Sequence, residues 1–152
     1  AAASPIGLER ELPGPVGERN LYALHARGTI LLSPVTTQGL YQQIAATLAT
    51  GNHGRIEGFS LPADMPASVA GRFAFADDKP LAAALIEGAP DELVAMLQDI
   101  AARPGPVLLP QTASSADCAN GPAYRLDWLV EEVATSINTT ASGGNASLMT
   151  IA

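Results

Sequence analysis

Two short aliphatic runs, Gly28-Thr-Ile-Leu-Leu-Ser33 and Leu81-Ala-Ala-Ala-Leu-Ile-Glu87, are each followed by a stretch with helical spacing. That order restricts the fold more than any other feature of the chain. A short apolar run bounded by Gly or Pro reads as a strand buried on both faces. Parallel strands need crossovers that pack on the sheet, and helices supply them. After Pro34, Thr36 or Thr37 is placed to cap a helix over Gln38–Thr50, with Leu40, Tyr41, Ile44, Ala45 and Leu48 on one face and Gly51 at its stop. Pro80 and Gly88 bound the second run, which reads as a strand despite its alanines. A helix over Pro90–Ala102 follows, with Pro at its first turn, Asp91 and Glu92 at its positive end, and Leu93, Leu97 and Ile100 inward. The expected fold class is α/β, a parallel sheet with flanking helices.

Weaker elements fill the gaps. A short strand is expected over Asn20–His25, another at Arg55–Gly58, a helix over Ala63–Ala70 and a strand over Arg72–Ala76. Val107–Leu109 closes the alternation, and Gln111–Ala123 reads as a polar loop. Arg125-Leu-Asp-Trp128 and Val133, Thr135, Ile137 alternate on either side of Glu131-Glu132, which predicts a two-stranded antiparallel hairpin over 124–138. Its apolar row would be Leu126, Trp128 and Val130, and its unpaired edge predicts pairing with another domain or a second copy. The Pro- and Gly-rich start reads as a linker or arm over 1–19, ahead of an α/β domain over 20–123.

Aromatic residues are only 5% of the chain against 47% hydrophobic, so the core must be aliphatic. A net charge of −7 argues against nucleic acid and against direct contact with an anionic membrane. The single cysteine, with no signal-peptide pattern and no span-length apolar run, predicts a soluble cytoplasmic protein.

Chemistry-bearing residues are sparse. The turn Ser33-Pro34-Val35-Thr36-Thr37-Gln38-Gly39 lacks the Gly-x-Gly-x-x-Gly cradle of a dinucleotide site, and Pro34 removes an amide donor. Asp77-Asp78 reads as a solvated strand end rather than a ribose clamp. Cys118 lies beside Asp117, which disfavours a thiolate, and reads as inert. His25 and His53 have no partners at metal-ligand spacing, and Ser114-Ser115 sits in no nucleophile elbow. No catalytic, cofactor-binding or metal site is expected in this chain.

The last seventeen residues, from Ser136 to Ala152, carry no charge and almost nothing bulky before Leu148-Met149. Such a run suits an extended strap in a groove, where close backbone approach counts more than side-chain volume; the alternative is a frayed terminus. Ser136-Ile137-Asn138-Thr139 and the run Gly143 to Ile151 closely resemble the terminal motif of the proline utilization A (PutA) proteins. Leu12-Pro-Gly-Pro-Val-Gly-Glu-Arg-Asn20 is similar to a second segment of that family. One departure is Glu132-Val133-Ala134, where the family often has Glu-Arg-Ser, so no role of that arginine carries over.

The resemblance implies a parent enzyme with an FAD-dependent proline dehydrogenase domain and an NAD-dependent aldehyde dehydrogenase domain, joined by an internal passage for the intermediate. It implies that this chain is the C-terminal domain: a Rossmann-like, degenerate aldehyde-dehydrogenase nucleotide domain with a β-flap over 124–138 and a strap over 139–152. Its partners would be the catalytic domains of the parent polypeptide. The lid or interface residues would be Trp128, Ser136, Asn138, Thr139, Gly143, Gly144, Asn145, Ser147, Leu148, Met149 and Ile151. Two readings compete with a lid: an autonomous small-molecule- or nucleotide-binding α/β module, and an independent enzyme.

Overall fold

The computed structural model describes residues 6–76 and 78–139. Two compact units divide the chain, Ala26–Glu131 on one side and residues 6–25 with 132–139 on the other.

The larger unit is built on a five-stranded sheet in the order β5-β4-β3-β6-β7, with every pair parallel. Its elements run β3 (Thr29–Ser33), α1 (Thr37–Ala49), β4 (His53–Ile56), α2 (Ala67–Ala70), β5 (Phe73–Ala74), β6 (Leu81–Glu87), α3 (Pro90–Ala102), β7 (Leu109–Ala113) and α4 (Ser115–Asn120). Alternation along the central strands divides the core between two faces. Ile30, Leu32, Ala83 and Leu85 pack with Leu40 and Ile44 of α1, whereas Leu31, Ala84 and Ile86 pack with Ile100 of α3. Both faces are therefore covered, which is why β3 and β6 are nearly continuous aliphatic runs.

The strongest sequence patterns match these elements closely, and α3 has the predicted bounds. Helix α1 is capped by Thr36, whose hydroxyl accepts from the Gly39 amide at 3.0 Å. Its inward face is rotated from the expected one. Tyr41 is 44% exposed, while Gln43 and Thr47 are wholly buried. Two of their polar atoms have partners that a hydrophobic count does not register: Gln43 Nε2 donates to the Tyr124 hydroxyl, and the Thr47 hydroxyl donates back to the Gln43 carbonyl, while Gln43 Oε1 is buried without a hydrogen bond. The helix over Ala63–Ala70 shrinks to α2, and the strand over Arg72–Ala76 to the two residues of β5.

Three expectations are corrected. The last strand of the sheet is not Val107–Leu109 but Leu109–Ala113, running through Pro110. It pairs only with β6, and an edge strand tolerates a residue without an N–H. The polar loop after it contains α4, which Ser114 and Asp117 start by reciprocal capping: the Ser114 amide donates to Asp117 Oδ2 at 2.9 Å, and the Asp117 amide to Ser114 Oγ at 3.1 Å. The hairpin over 124–138 is absent. Leu126–Leu129 is a 3-10 turn, with Leu129 fully buried and Trp128 37% exposed. Gln111 fastens its start, accepting from the Arg125 amide at 2.8 Å and donating to the Arg125 carbonyl at 3.0 Å. A backbone held on both sides by one amide side chain is not available for a strand ladder.

The smaller unit holds the second sheet, order β1-β2-β8, from β1 (Glu9–Leu12), β2 (Glu18–Ala26) and β8 (Val130–Asn138). The expected arm over 1–19 thus contains a strand, with Glu9 opposite Ala23 and Leu12 opposite Asn20 in antiparallel register. The partner of β8 is β2 rather than the segment before it. The Thr139 amide donates to the Gly17 carbonyl at 2.8 Å, and the Tyr22 hydroxyl to Glu132 at 3.0 Å.

In the larger unit, Asn52 joins three pieces of chain. Its Oδ1 accepts from the Gly28 amide at 2.9 Å, and its Nδ2 donates to Thr50 Oγ1 at 2.8 Å and to the Leu129 carbonyl at 2.7 Å. Asn52 is 0% exposed, so water has no ready access to groups that it would abandon. Asn52→Ala is expected to destabilise the chain by roughly 1–3 kcal/mol for each backbone group left unpaired. Urea denaturation monitored by circular dichroism measures it, and a loss below about 0.5 kcal/mol would mean that the three pieces are held elsewhere.

Candidate functional site

Parallel strands deliver their C-terminal ends to one edge of the sheet, and β4 and β6 leave β3 on opposite sides there. Such a switch point is where open α/β sheets place ligands. Here it holds Glu87, the last residue of β6, which is 0% exposed. Its Oε2 accepts from the Val35 and Thr36 amides, each at 2.8 Å, and its Oε1 from the Thr36 hydroxyl at 2.7 Å. The same Thr36 oxygen that donates to Glu87 accepts from the Gly39 amide, so one side chain serves the cap and the carboxylate together. Ser115 of α4 adds a further hydroxyl donor. Gly39, in the first turn of α1, permits the approach, because a Cβ there would land on the carboxylate.

Burial pushes the Glu87 carboxyl upward, but the donors from Thr36, Val35 and Ser115 outweigh it and hold the group below its ordinary value. The Val35 and Thr36 amides are therefore already spent. Sequence reasoning found no phosphate cradle at this turn but overlooked Glu87. The visible signal was a carboxylate ending an otherwise aliphatic strand, a place that demands donors.

A buried polar seam lies alongside. The Tyr124 hydroxyl donates to the Ile86 carbonyl at 3.2 Å and accepts from Gln43 Nε2 at 2.9 Å, and Cys118 Sγ lies 4.0 Å from it. Cys118 is fully buried. Burial raises its thiol, Glu87 and Asp117 raise it further, and the Tyr124 contact only partly offsets them. The thiol stays protonated and shielded, which is the reverse of what a nucleophile needs. His53 is held below its ordinary value by burial, Arg72 and Lys79.

A cleft of about 410 Å³ elsewhere in this unit is lined by Arg55, Asp78, Lys79 and Arg103 among others. Two of its three cations are paired with carboxylates outside the lining, Arg55 with Glu57 at 3.5 Å and Arg103 with Glu57 and Asp99. Arg103 grips Glu57 with two 2.9 Å bonds and Asp99 with a third. Among the described residues no group of three or more His, Cys, Asp or Glu is placed to hold a metal ion, and no helix is long and apolar enough to cross a membrane.

The expected lid residues are distributed between the units. Trp128 belongs to the larger one, with the Arg125 guanidinium 5.0 Å from its ring centre. Ser136 and Asn138 lie on β8 in the smaller unit and are exposed, and Thr139 follows them. Gly143, Gly144, Asn145, Ser147, Leu148, Met149 and Ile151 lie outside the described residues.

No family model matches the sequence. The chain is 54% identical over 159 residues to the bifunctional protein PutA of Rhizobium meliloti, covering 99% of this chain and 13% of that protein. It is 35% identical over 160 residues to the bifunctional protein PutA of Salmonella typhimurium, covering 99% and 12%. This chain is homologous to one segment of PutA. It spans only about an eighth of the length of those relatives. Two crystal structures of Bradyrhizobium japonicum proline utilization A variants superpose with TM-scores of 0.52 and 0.53 at 19% identity, covering 72% of this chain and 14% of theirs. At that identity the likeness speaks for the mixed α/β fold of the PutA segment.

Two outcomes follow for the Glu87 crevice. Because the folded carboxyl is held below its ordinary 4.5, its contribution to stability is complete above that value and is lost as pH falls through the lower folded value. Replacing Glu87 by Gln should flatten that part of the acid-unfolding curve, as followed by tryptophan fluorescence. Gly39→Ala forces the helix and the carboxylate apart and is expected to cost about 1–3 kcal/mol in thermal or urea denaturation.

Proposed function

We propose that this chain is the non-catalytic C-terminal domain of a bifunctional, cytoplasmic proline-catabolic enzyme that converts proline to glutamate. It covers the passage for the intermediate and supports the aldehyde dehydrogenase active site. The observation that carries the reading is the 54% identity to PutA over 99% of the chain. FAD and NAD belong, on this reading, to the catalytic domains of the parent, and the α/β unit is a degenerate, Rossmann-like aldehyde-dehydrogenase nucleotide domain. The filled turn at Val35 and Thr36 supports the loss of the nucleotide site. It also weakens the alternative of an autonomous nucleotide-binding module, since the Val35 and Thr36 amides and the space beside them are taken by Glu87.

The flap is revised in form. Instead of a hairpin over 124–138, it is the three-stranded sheet in which β8 occupies an outer position. The strand is nine residues long and mostly exposed. A long exposed edge strand calls for a partner, and a strand of the parent's catalytic domains or of a second copy would satisfy it. A lid needs close fit rather than reactive side chains, because its task is to exclude water and retain the intermediate. Thr139, Gly143, Gly144, Asn145, Ser147, Leu148, Met149 and Ile151 would form the part that seats at the aldehyde site, with Trp128, Ser136 and Asn138 at the interface.

Truncating the parent after Asn138 tests the reading. The expected result is a longer lag in NADH formation from proline and weakened aldehyde oxidation, with proline oxidation at the flavin near normal. Unchanged lag and unchanged aldehyde oxidation would exclude the lid and leave a structural domain. For β8, proline in place of Thr135 should weaken association of this chain with the catalytic part of the parent, measured by analytical ultracentrifugation, while the far-UV spectrum of the chain is largely retained.

A further inference from the structure

A carboxylate removed from water is tolerated only where fixed donors replace its hydration. Glu87 meets that condition with unusual completeness: three donor groups from the β3–α1 turn converge on its two oxygens at 2.7–2.8 Å, and Ser115 approaches from α4. These donors stand at the C-terminal ends of β3 and β6, on the edge of the sheet where a bound ligand's anionic group would meet the first amides of a helix. Gly39 gives independent support for a built site. With any side chain at that position, the first turn of α1 would collide with the carboxylate, so the helix comes as near to the anion as a backbone allows.

We propose that the crevice between β3 and β6 is an oxyanion-binding site that the chain fills with its own side chain. Glu87 is its resident ligand, and the chemical class that it accepts is a small planar carboxylate. In the native chain this occupancy anchors the β3–α1 turn to β6 and bars an external carboxylate or phosphate. The site is closed by a ligand supplied from within, through the donors that the turn retains after Pro34. The inference is independent of whether the chain acts as a lid, since docking on another domain does not require an open crevice.

Removing the carboxylate without disturbing the backbone converts the filled site into an empty one. In Glu87→Ala of the full 152-residue chain, the vacated space matches formate in shape and charge. Thermal unfolding is followed while sodium formate is titrated against sodium chloride at equal ionic strength, with inorganic phosphate as a larger probe. The variant should melt below the native chain in chloride and regain a saturable part of the loss in formate. Phosphate should act more weakly. Neither the native chain nor Glu87→Gln, whose amide still fills the space, should respond to formate beyond the chloride control. Equal responses to formate and chloride in Glu87→Ala, or the same formate response in all three proteins, would overturn the proposal. If Glu87→Ala does not fold in chloride, recovery of its far-UV circular dichroism on adding formate becomes the supporting result. Failure to recover at every formate concentration counts against it.

Discussion

The bond set around Glu87 joins the parts of the α/β unit that its chain order would otherwise leave loosely connected. Strands β3 and β6 are adjacent in the sheet but separated in sequence by α1, β4, α2 and β5. Their pairing is secured by the backbone ladder and by the aliphatic side chains on both faces. Neither of these determines how the turn after β3 enters α1. The carboxylate does so, by drawing two successive amides and a hydroxyl toward the end of β6. The start of α1 is thereby registered to the strand beside it, with Thr36 capping the helix and donating to the anion through the same hydroxyl. The arrangement uses the positive end of a helix for stability rather than for recognition.

A second set of polar links works at the opposite ends of the strands. Asn52 fastens the start of β3, the end of α1 and the 3-10 turn, and Arg72 adds bonds of 2.6 and 2.9 Å to the carbonyls of Gly51 and Asn52. The last turn of α1 carries no basic residue of its own, so Arg72 supplies the charge that a helix C-terminus favours. Gly51, at a φ of +70°, makes the reversal that brings these carbonyls into reach. Buried polar side chains in this unit thus act mainly as ties between chain segments.

What the sequence made legible follows from range. Elements whose signals are local and redundant were readable: β3, β6 and α3 each combine an apolar run or helical spacing with boundary residues such as Pro34, Gly88 and Pro90. The misreadings arise where a distant partner decides. Arg125–Trp128 alternates like a strand, but Gln111 holds its backbone in another shape. Glu9–Leu12 lies among prolines and glycines, yet β2 recruits it. Pro110 looked like a stop because edge position is invisible in a linear pattern. The cap at Ser114 and Asp117 was different, being local and simply passed over. At the candidate site, Pro34 and Thr36 of the turn are near neighbours in sequence, whereas the carboxylate that the turn holds lies more than fifty positions away.

A binding protein that needs its ligand for full stability changes its folded fraction with the supply of that ligand. A crevice filled by Glu87 is released from that dependence, because its occupant travels with the chain and cannot be diluted, exported or consumed. The restriction that replaces it is covalent and reciprocal: residue 39 must leave room for what residue 87 brings, and the side chain at 87 must reach no farther than residue 39 permits. The crevice thereby keeps the geometry of a receptor while its place for a ligand is taken by the chain itself.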